Sequence, residues 1–434
     1  MSEHAPVAAK SADDPAFKLP ESLSKLSIPL SIGGVIALLL GWGLGNYHGG
    51  RFAMSVYLTS FIYCLTISIG CLFFVVIQHL CRAGWSVVVR RIAELIMMMV
   101  FPLAILFLPI LITLWYGNGT LYHWDNVPVV SADGVVESVG FAGENHISDK
   151  VWTMKSMFLN ERWFFIRALI YFSVWCSLAY YYFRGSTRQD ETGDKAITDQ
   201  MQFWSGPALM LLALSTSFAA FDWVMSLAPM WFSTMFGVYL FAGSMLAAHC
   251  VLAVAAFVFQ KCGAMRDEVT VEHYHDLGKY IFGFLLFWIY ISFSQYMLIW
   301  YGNIPEETEW IYRRQLGSFG VIGLILIFFH WMLPFLGTMS RYVRRRPPLV
   351  VGWAAYVLVL HYFDVYWMIM PESHAGVPGA FADPGGLVGV LASVICVLGM
   401  VGILAGLVLR VAQETRIAAS SDPRFRESVV FENI

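Results

Sequence analysis

The sequence predicts an all-α integral membrane protein. About ten transmembrane helices form two parallel-related four-helix bundles, with two further helices at the periphery. Three observations carry this expectation. The 434 residues are 58% hydrophobic and 13% charged, with mean hydropathy +0.64, against roughly a quarter charged in soluble domains. Apolar runs near or above the ~20 residues needed to span a bilayer recur along the chain. Two echoes then repeat in the same order. Trp115-Tyr116-Gly117-Asn118 returns as Trp300-Tyr301-Gly302-Asn303, and Phe221-Asp222 before Pro229 returns as Phe363-Asp364 before Pro371.

Residues 1–26 are polar and mixed in charge, without the apolar centre of a secretory signal, so the first span is expected to be retained. The run 28–46 gives a peripheral first helix within 27–52. Runs 53–80, 88–116, 163–183 and 203–227 make the first bundle, 53–227, interrupted by a long outer loop at 117–162. Runs 231–259, 278–301, 317–338 and 349–370 make the second bundle, 228–370. An outer loop and a tenth helix, 385–409, fill 371–410, and 411–434 is a tail. Both tails read as extensions available to other subunits.

The echoes fix the register of the repeat. The first pair lies 185 residues apart and the second 142; the long 117–162 loop absorbs the difference. Span 3 therefore matches span 7 and span 5 matches span 9. A four-helix shift preserves orientation, so the repeat is parallel, about an axis along the membrane normal. Small residues at fourfold spacing (Gly402 with Gly406, Gly385 with Gly389, Gly243 with Ala247) point to tight helix contacts.

Charge sets the expected orientation. With both termini on one side, that side carries 20 of the 27 Lys and Arg residues and the other carries 7. The positive-inside rule then puts both termini in the cytoplasm. Arg344-Arg345-Arg346 reads as an inner-leaflet anchor, which argues against a nucleic-acid site.

The candidate functional residues are the ionisable groups inside spans, which are costly in lipid and commonly mark ion paths or ligand sites. Asp222 and Asp364 each sit about 7–10 Å inside the outer end of a helix, at 1.5 Å per residue. Desolvation disfavours the charged form of an isolated acid there. A buried Asp held by a base is the competing reading, and Arg167, about a turn inside span 4, is a partner in reach. His361 lies three residues before Asp364 and shares its helix face, a pairing suited to a proton relay or to holding a quinol hydroxyl. His249 in span 6 and His330 midway along span 8 extend a path or serve as hydrogen-bonded core residues. Glu94 stands one turn from Arg90, as an interfacial ion pair or as the opening of an inner half-channel. Gln295, with Tyr290, Ser292, Ser294 and Tyr296, lines a wet passage or cross-links helices.

Several chemistries lack their motifs. No Walker, dinucleotide-binding, zinc-ligand or nucleophile-elbow pattern occurs in a suitable context. The seven cysteines form no CxxC, no haem-attachment and no iron–sulfur spacing. Metal centres for electron transfer are therefore expected in partners.

Two long stretches carry a resemblance. Phe221-Asp222-Trp223-Val224-Met225-Ser226-Leu227, with Pro229, Trp231-Phe232-Ser233-Thr234 and Gly237, is similar to the NrfD-like (polysulfide reductase membrane subunit) family. So is Ser294-Gln295-Tyr296-Met297-Leu298-Ile299-Trp300-Tyr301, followed by Asn303-Ile304-Pro305-Glu306-Glu307-Thr308. Within that family the chain most resembles the ActF-type subunits of bacterial alternative complex III; Lys155, Leu159-Asn160, Phe164-Phe165 and Arg167 contribute. The likeness covers about residues 20–415.

The resemblance implies a quinol:electron-acceptor oxidoreductase of the bacterial cytoplasmic membrane. Its implied partners are a sister NrfD-like subunit, an iron–sulfur subunit, multihaem and monohaem cytochrome c subunits and small membrane subunits. Haem c and iron–sulfur clusters would reside in those partners, and this chain would bind quinone or menaquinone, move protons, or both. Two other classes remain open: a structural anchor with no site of its own, and a stand-alone secondary transporter. Unbroken spans argue against the transporter.

Overall fold

The computed structural model describes residues 14–116, 120–122, 124, 155–229, 231–374 and 385–433. Among them lie ten helices long and apolar enough to cross a membrane, and no strand. They are α1 (Ser27–His48), α2 (Gly50–Leu80), α3 (Val87–Trp115), α4 (Glu161–Thr192), α5 (Lys195–Leu227), α6 (Phe236–Lys261), α7 (Val271–Gly302), α8 (Gly317–Met339), α9 (Pro347–Ser373) and α10 (Gly386–Glu414). The chain is an all-α, multi-pass membrane protein.

Both tails lie on one face. Phe17 meets Phe425 edge-on at 5.8 Å, and the Ile417 N–H donates to the Phe17 carbonyl at 2.9 Å. Between α6 and α7, the Met265 N–H donates to Ala16 at 3.1 Å. This is the tail face; the opposite one is the distal face.

Helices α4, α5 and α7 outrun their apolar segments, reaching Thr192, starting at Lys195 and starting at Val271. Hydropathy fades at the edge of the apolar layer, whereas a helix runs on until a cap stops it. Gly193, at φ +64°, ends α4 in the left-handed region, and the Asp194 side chain accepts from Ala196 N at 2.9 Å to begin α5. Asn303, the last residue of the second Trp-Tyr-Gly-Asn echo, adopts φ +47° and ends α7. A short helix, Pro305–Gln315, then crosses the distal face.

The spans are not all unbroken. Helix α3 is interrupted near Met98–Met99 and at Phe107, around Pro102 and Pro109. Helix α8 contains a π-helical stretch, Leu326–Met332. Pro334 explains the second irregularity, because it has no N–H for the His330 carbonyl and its ring crowds that group. In the predicted repeat α3 corresponds to α7 and α4 to α8, so the two irregular helices are not equivalents.

Helices α2 and α6 form the centre: 89% and 67% of their apolar windows are buried, against 22% for α1. Helix α2 packs with α3 and α5, and α6 with α7 and α9. The halves join through α2 on α6, α5 on α6 and α9 on α2, a reciprocal pattern expected of two bundles related by a twofold axis. Gly70 lets α2 approach the Ser244 carbonyl of α6 directly.

Helices α1 and α10 pair at the periphery through glycine. A Cβ at Gly34 would stand 2.5 Å from Ile403 N and 2.7 Å from Gly399 O, and one at Gly41 would stand 2.6 Å from Cys396 N. Such backbone-to-backbone approach is how helices associate where lipid removes the hydrophobic drive. Gly34→Leu is expected to cost about 1–3 kcal/mol through overpacking, read as a lower unfolding temperature in detergent; unchanged melting would show that the pair tolerates separation.

The C-terminal segment binds its own chain. Arg90 on α3 donates to Asp422 at 2.6 Å. The Ser428 hydroxyl donates to the Trp85 carbonyl at 2.5 Å and accepts from Val88 N at 3.3 Å, capping the start of α3. The expected free extension is therefore, over 415–433, a clasp across the tail face. Residues 1–13 lie outside the described residues.

Candidate functional site

The two Phe-Asp motifs occupy different surroundings. In the first bundle Asp222 of α5 is buried and fully engaged. Arg167 of α4 grips it with two hydrogen bonds, Nε to Oδ2 at 2.7 Å and Nη2 to Oδ1 at 2.9 Å. The Tyr171 hydroxyl adds a third at 2.6 Å. Behind the guanidinium lies the Phe158 ring at 3.8 Å. Trp223, Trp175, Phe172 and Phe107 fill the neighbouring space, and the nearby cavity measures only about 10 Å³, room for about one water. A carboxylate with three donors and a bidentate base is built to stay where it is.

In the second bundle Asp364 of α9 is equally buried and, among the described residues, takes its hydrogen bonds from Tyr239 and Trp288 with no Lys or Arg. The Tyr239 hydroxyl of α6 donates to Oδ1, and Trp288 Nε1 of α7 donates to Oδ2 at 3.1 Å. One turn away, His361 Nε2 lies 3.0 Å from the Thr66 hydroxyl of α2. That hydroxyl gives its single hydrogen to the Tyr63 carbonyl at 2.7 Å. With that hydrogen on Tyr63, Thr66 accepts from His361, an arrangement that has the imidazole proton on Nε2 and a lone pair on Nδ1. Nδ1 lies 3.7 Å from Asp364 Oδ2. His330, on the π-helical stretch of α8, completes the group; Trp288 meets its ring edge-on at 4.6 Å. Ligand atoms of His330, His361 and Asp364 all lie within 4.8 Å of one another. Gly243 of α6 makes room, since a Cβ there would stand 3.0 Å from His361 Cε1.

A cavity of about 700 Å³ adjoins this group, between α7, α8, α9 and the short helix Pro305–Gln315. Its inner wall includes Tyr239 and Trp288, the two donors to Asp364. Ser292, Gln295 and Arg314 add polar atoms to a mostly apolar lining. Phe293, Val321, Leu324 and Ile327 line it too and are exposed on the lateral surface, so it communicates with the apolar layer. A second hollow of about 400 Å³ shares Tyr296, Ile311 and Gln315 on the distal side. The volume lies within the range of sites for drug-sized organic ligands.

Arg314 roofs the larger cavity. It is fully buried, donates to Glu372 at 2.9 Å, to the Trp310 carbonyl at 2.9 Å and to the Met368 carbonyl at 2.7 Å, and lies 3.6 Å over the Trp310 ring. Burial pulls its guanidinium down to about 10, with Glu372 opposing the shift, so it stays charged at neutral pH.

The remaining candidates lie elsewhere. Glu94 is buried near the tail face in a network wider than one ion pair: Arg90 at 3.2 Å, Arg91 at 2.8 Å, and through these Asp422 and Asp190 of α4, 2.6 and 2.7 Å from their arginines. The clasp covers it. His249 stacks on Tyr280 and Phe284 and its Nδ1 meets the Met245 carbonyl at 2.7 Å, a core arrangement apart from His330 and His361. Gln295 accepts from the Ser233 hydroxyl at 3.1 Å and lines the cavity. Most of the 117–162 loop, His123 and His146 included, lies outside the described residues.

Sequence reasoning did not single out Tyr239, Trp288, Thr66, Arg314 or Glu372. Each comes from a different element, and only the Arg313-Arg314 doublet beside a distal loop carried a local signal.

Fold and site together define a multi-pass all-α membrane protein with a polar group buried beside a laterally open cavity. No protein-family model matches the chain, and no curated protein matches it.

Proposed function

We propose that this chain is an integral membrane subunit of a quinol-oxidising electron-transfer complex, and that the cavity between α7 and α8 holds the quinone. The carrying observation is the laterally open cavity of about 700 Å³ whose inner wall is formed by the Tyr239 and Trp288 side chains that hold Asp364. A quinone is apolar with two carbonyl oxygens, so it needs an opening to lipid, aromatic walls and a few fixed polar groups. Trp288, Trp310 and Trp367 supply the walls, and Tyr239, Gln295 and Arg314 the polar groups. A quinol proton has a polar route at that depth through the Tyr239 hydroxyl toward Asp364 and His361.

The rest of the reading follows the sequence resemblance. Electrons leave through haem c and iron–sulfur centres of partner subunits, among them a sister NrfD-like subunit, and both tails face the cytoplasm of a bacterial cell. The first bundle supports an anchoring role, since Arg167 and Tyr171 saturate Asp222 and the cavity beside Trp223 measures only about 10 Å³.

A photoreactive quinone tests the site in detergent-solubilised native membranes. Label is expected on Ile289–Tyr296 and Gly320–Ile327, and Gly323→Phe, which projects into the cavity beside Trp367, is expected to reduce it at least tenfold. Labelling confined to other helices would overturn the site. Purification of the chain alone, without haem absorbance, would overturn membership of the complex.

A further inference from the structure

The arrangement of His330, His361 and Asp364 poses a physical problem that a hydrogen bond does not solve. With the Thr66 hydrogen on the Tyr63 carbonyl and the His361 proton on Nε2, the Nδ1 lone pair faces Asp364 Oδ2 across 3.7 Å. Both are acceptors, and two acceptors confronting one another in a buried site repel. A proton shared between them would require about 2.5–3.2 Å, so 3.7 Å is too wide. Neither ring nitrogen of His330 has a hydrogen-bond partner among the described residues, nor does His361 Nδ1. The imidazole nitrogens are buried, where an unpaired polar group costs about 1–3 kcal/mol.

A divalent cation resolves the arrangement. At metal–ligand distances of about 2.0–2.2 Å, tetrahedral ligand atoms stand roughly 3.4 Å apart, close to the observed 3.7 Å. The ligand atoms all lie within 4.8 Å of one another, so an ion would draw the His330 ring closer. The surroundings have the form that metal sites need. Thr66 holds His361 Nε2, and Tyr239 and Trp288 orient the carboxylate. Two imidazoles and one carboxylate select a borderline first-row ion over magnesium or calcium, which take oxygen ligands. The irregular winding of α8 also belongs here, since π-bulges recur at functional sites and this one carries His330.

We infer that His330 of α8 and His361 and Asp364 of α9 form a binding site for a zinc-class divalent transition-metal ion. The ion would hold the two helices together behind the cavity wall, and its fourth position would be free for water or an incoming ligand. Because it takes the lone pairs that would otherwise accept a proton, loading would compete with any proton traffic through Asp364.

The test uses the full chain, purified in detergent, stripped with chelator and titrated with Co²⁺. About one equivalent per chain is expected to give visible ligand-field bands of low-coordinate cobalt, and Zn²⁺ is expected to abolish them. X-ray absorption at the cobalt edge should report two imidazoles in the wild-type protein, a readout that needs no variant. His330→Asn and His361→Gln should each lower the affinity at least tenfold. Absence of these bands in the wild type, or an edge spectrum without imidazole, would overturn the site. Quinone photolabelling stands apart from this result, because the cavity residues are not the ligands.

Discussion

Asp364→Asn is expected to lower quinol oxidation by the assembled complex about 10- to 100-fold, the equivalent of losing one hydrogen bond to a charged group. Asp364 accepts from two donors, the Tyr239 hydroxyl and Trp288 Nε1. An asparagine amide offers one acceptor oxygen and one NH₂, so with Trp288 on the oxygen the Tyr239 hydroxyl must turn to accept from the NH₂, and its proton loses the carboxylate. Both are walls of the cavity, and the loss is transmitted directly to the groups that meet the quinone. Steady-state oxidation of a soluble quinol analogue measures the effect, with the haem spectrum confirming assembly. Unchanged turnover in an assembled complex would remove Asp364 from the working site and leave the second bundle, like the first, as scaffold.

The matching change in the first bundle is expected to act on stability. Arg167→Ala leaves a carboxylate buried with only Tyr171 as a side-chain donor, and removing one member of such a pair costs about 3–5 kcal/mol. Helices α4 and α5 lose their polar tie, and thermal unfolding in detergent should occur at clearly lower temperature. The double replacement Arg167→Met with Asp222→Leu should recover most of the loss, since no lone charge remains. A double variant as unstable as the single one would mean that the pair contributes through geometry that apolar groups cannot supply.

The different surroundings of two copies of one motif show where sequence reading succeeds and where it stops. Each Phe-Asp pair was visible because a charge inside an apolar run has no camouflage. The ten spans were visible for the same reason, as the bilayer imposes one length and one composition on them. The environment of each acid was not visible, because its partners come from other helices. Asp222 meets Arg167 and Tyr171 of α4, whereas Asp364 meets Tyr239 of α6 and Trp288 of α7. Tyrosine and tryptophan are so common in this chain that neither stands out.

His330 and His361 lie thirty-one residues apart on neighbouring helices, a separation without the short spacing by which metal ligands announce themselves in sequence. Glu94 was read with Arg90, four residues away. Its remaining partners, Arg91, Asp190 and Asp422, depend on how α4 and the last segment fold back. Apolar runs do not mark helix ends wherever a polar turn continues a helix past the apolar layer, as at Arg184–Thr192 in α4.

The clasp formed by Asp422 and Ser428 imposes an order on biogenesis. Arg90 and the first turn of α3 are made early in synthesis, but Asp422, the second partner of Arg90, and the capping Ser428 follow all ten helices along the chain. Helix α1 likewise waits for the glycine face of α10. Until those late segments emerge, Arg90 has Glu94 but not Asp422 as a counter-charge, the first turn of α3 lacks its cap, and the glycine face of α1 lacks its match. Closure of the tail face is thus placed after all ten helices by the order of the chain itself.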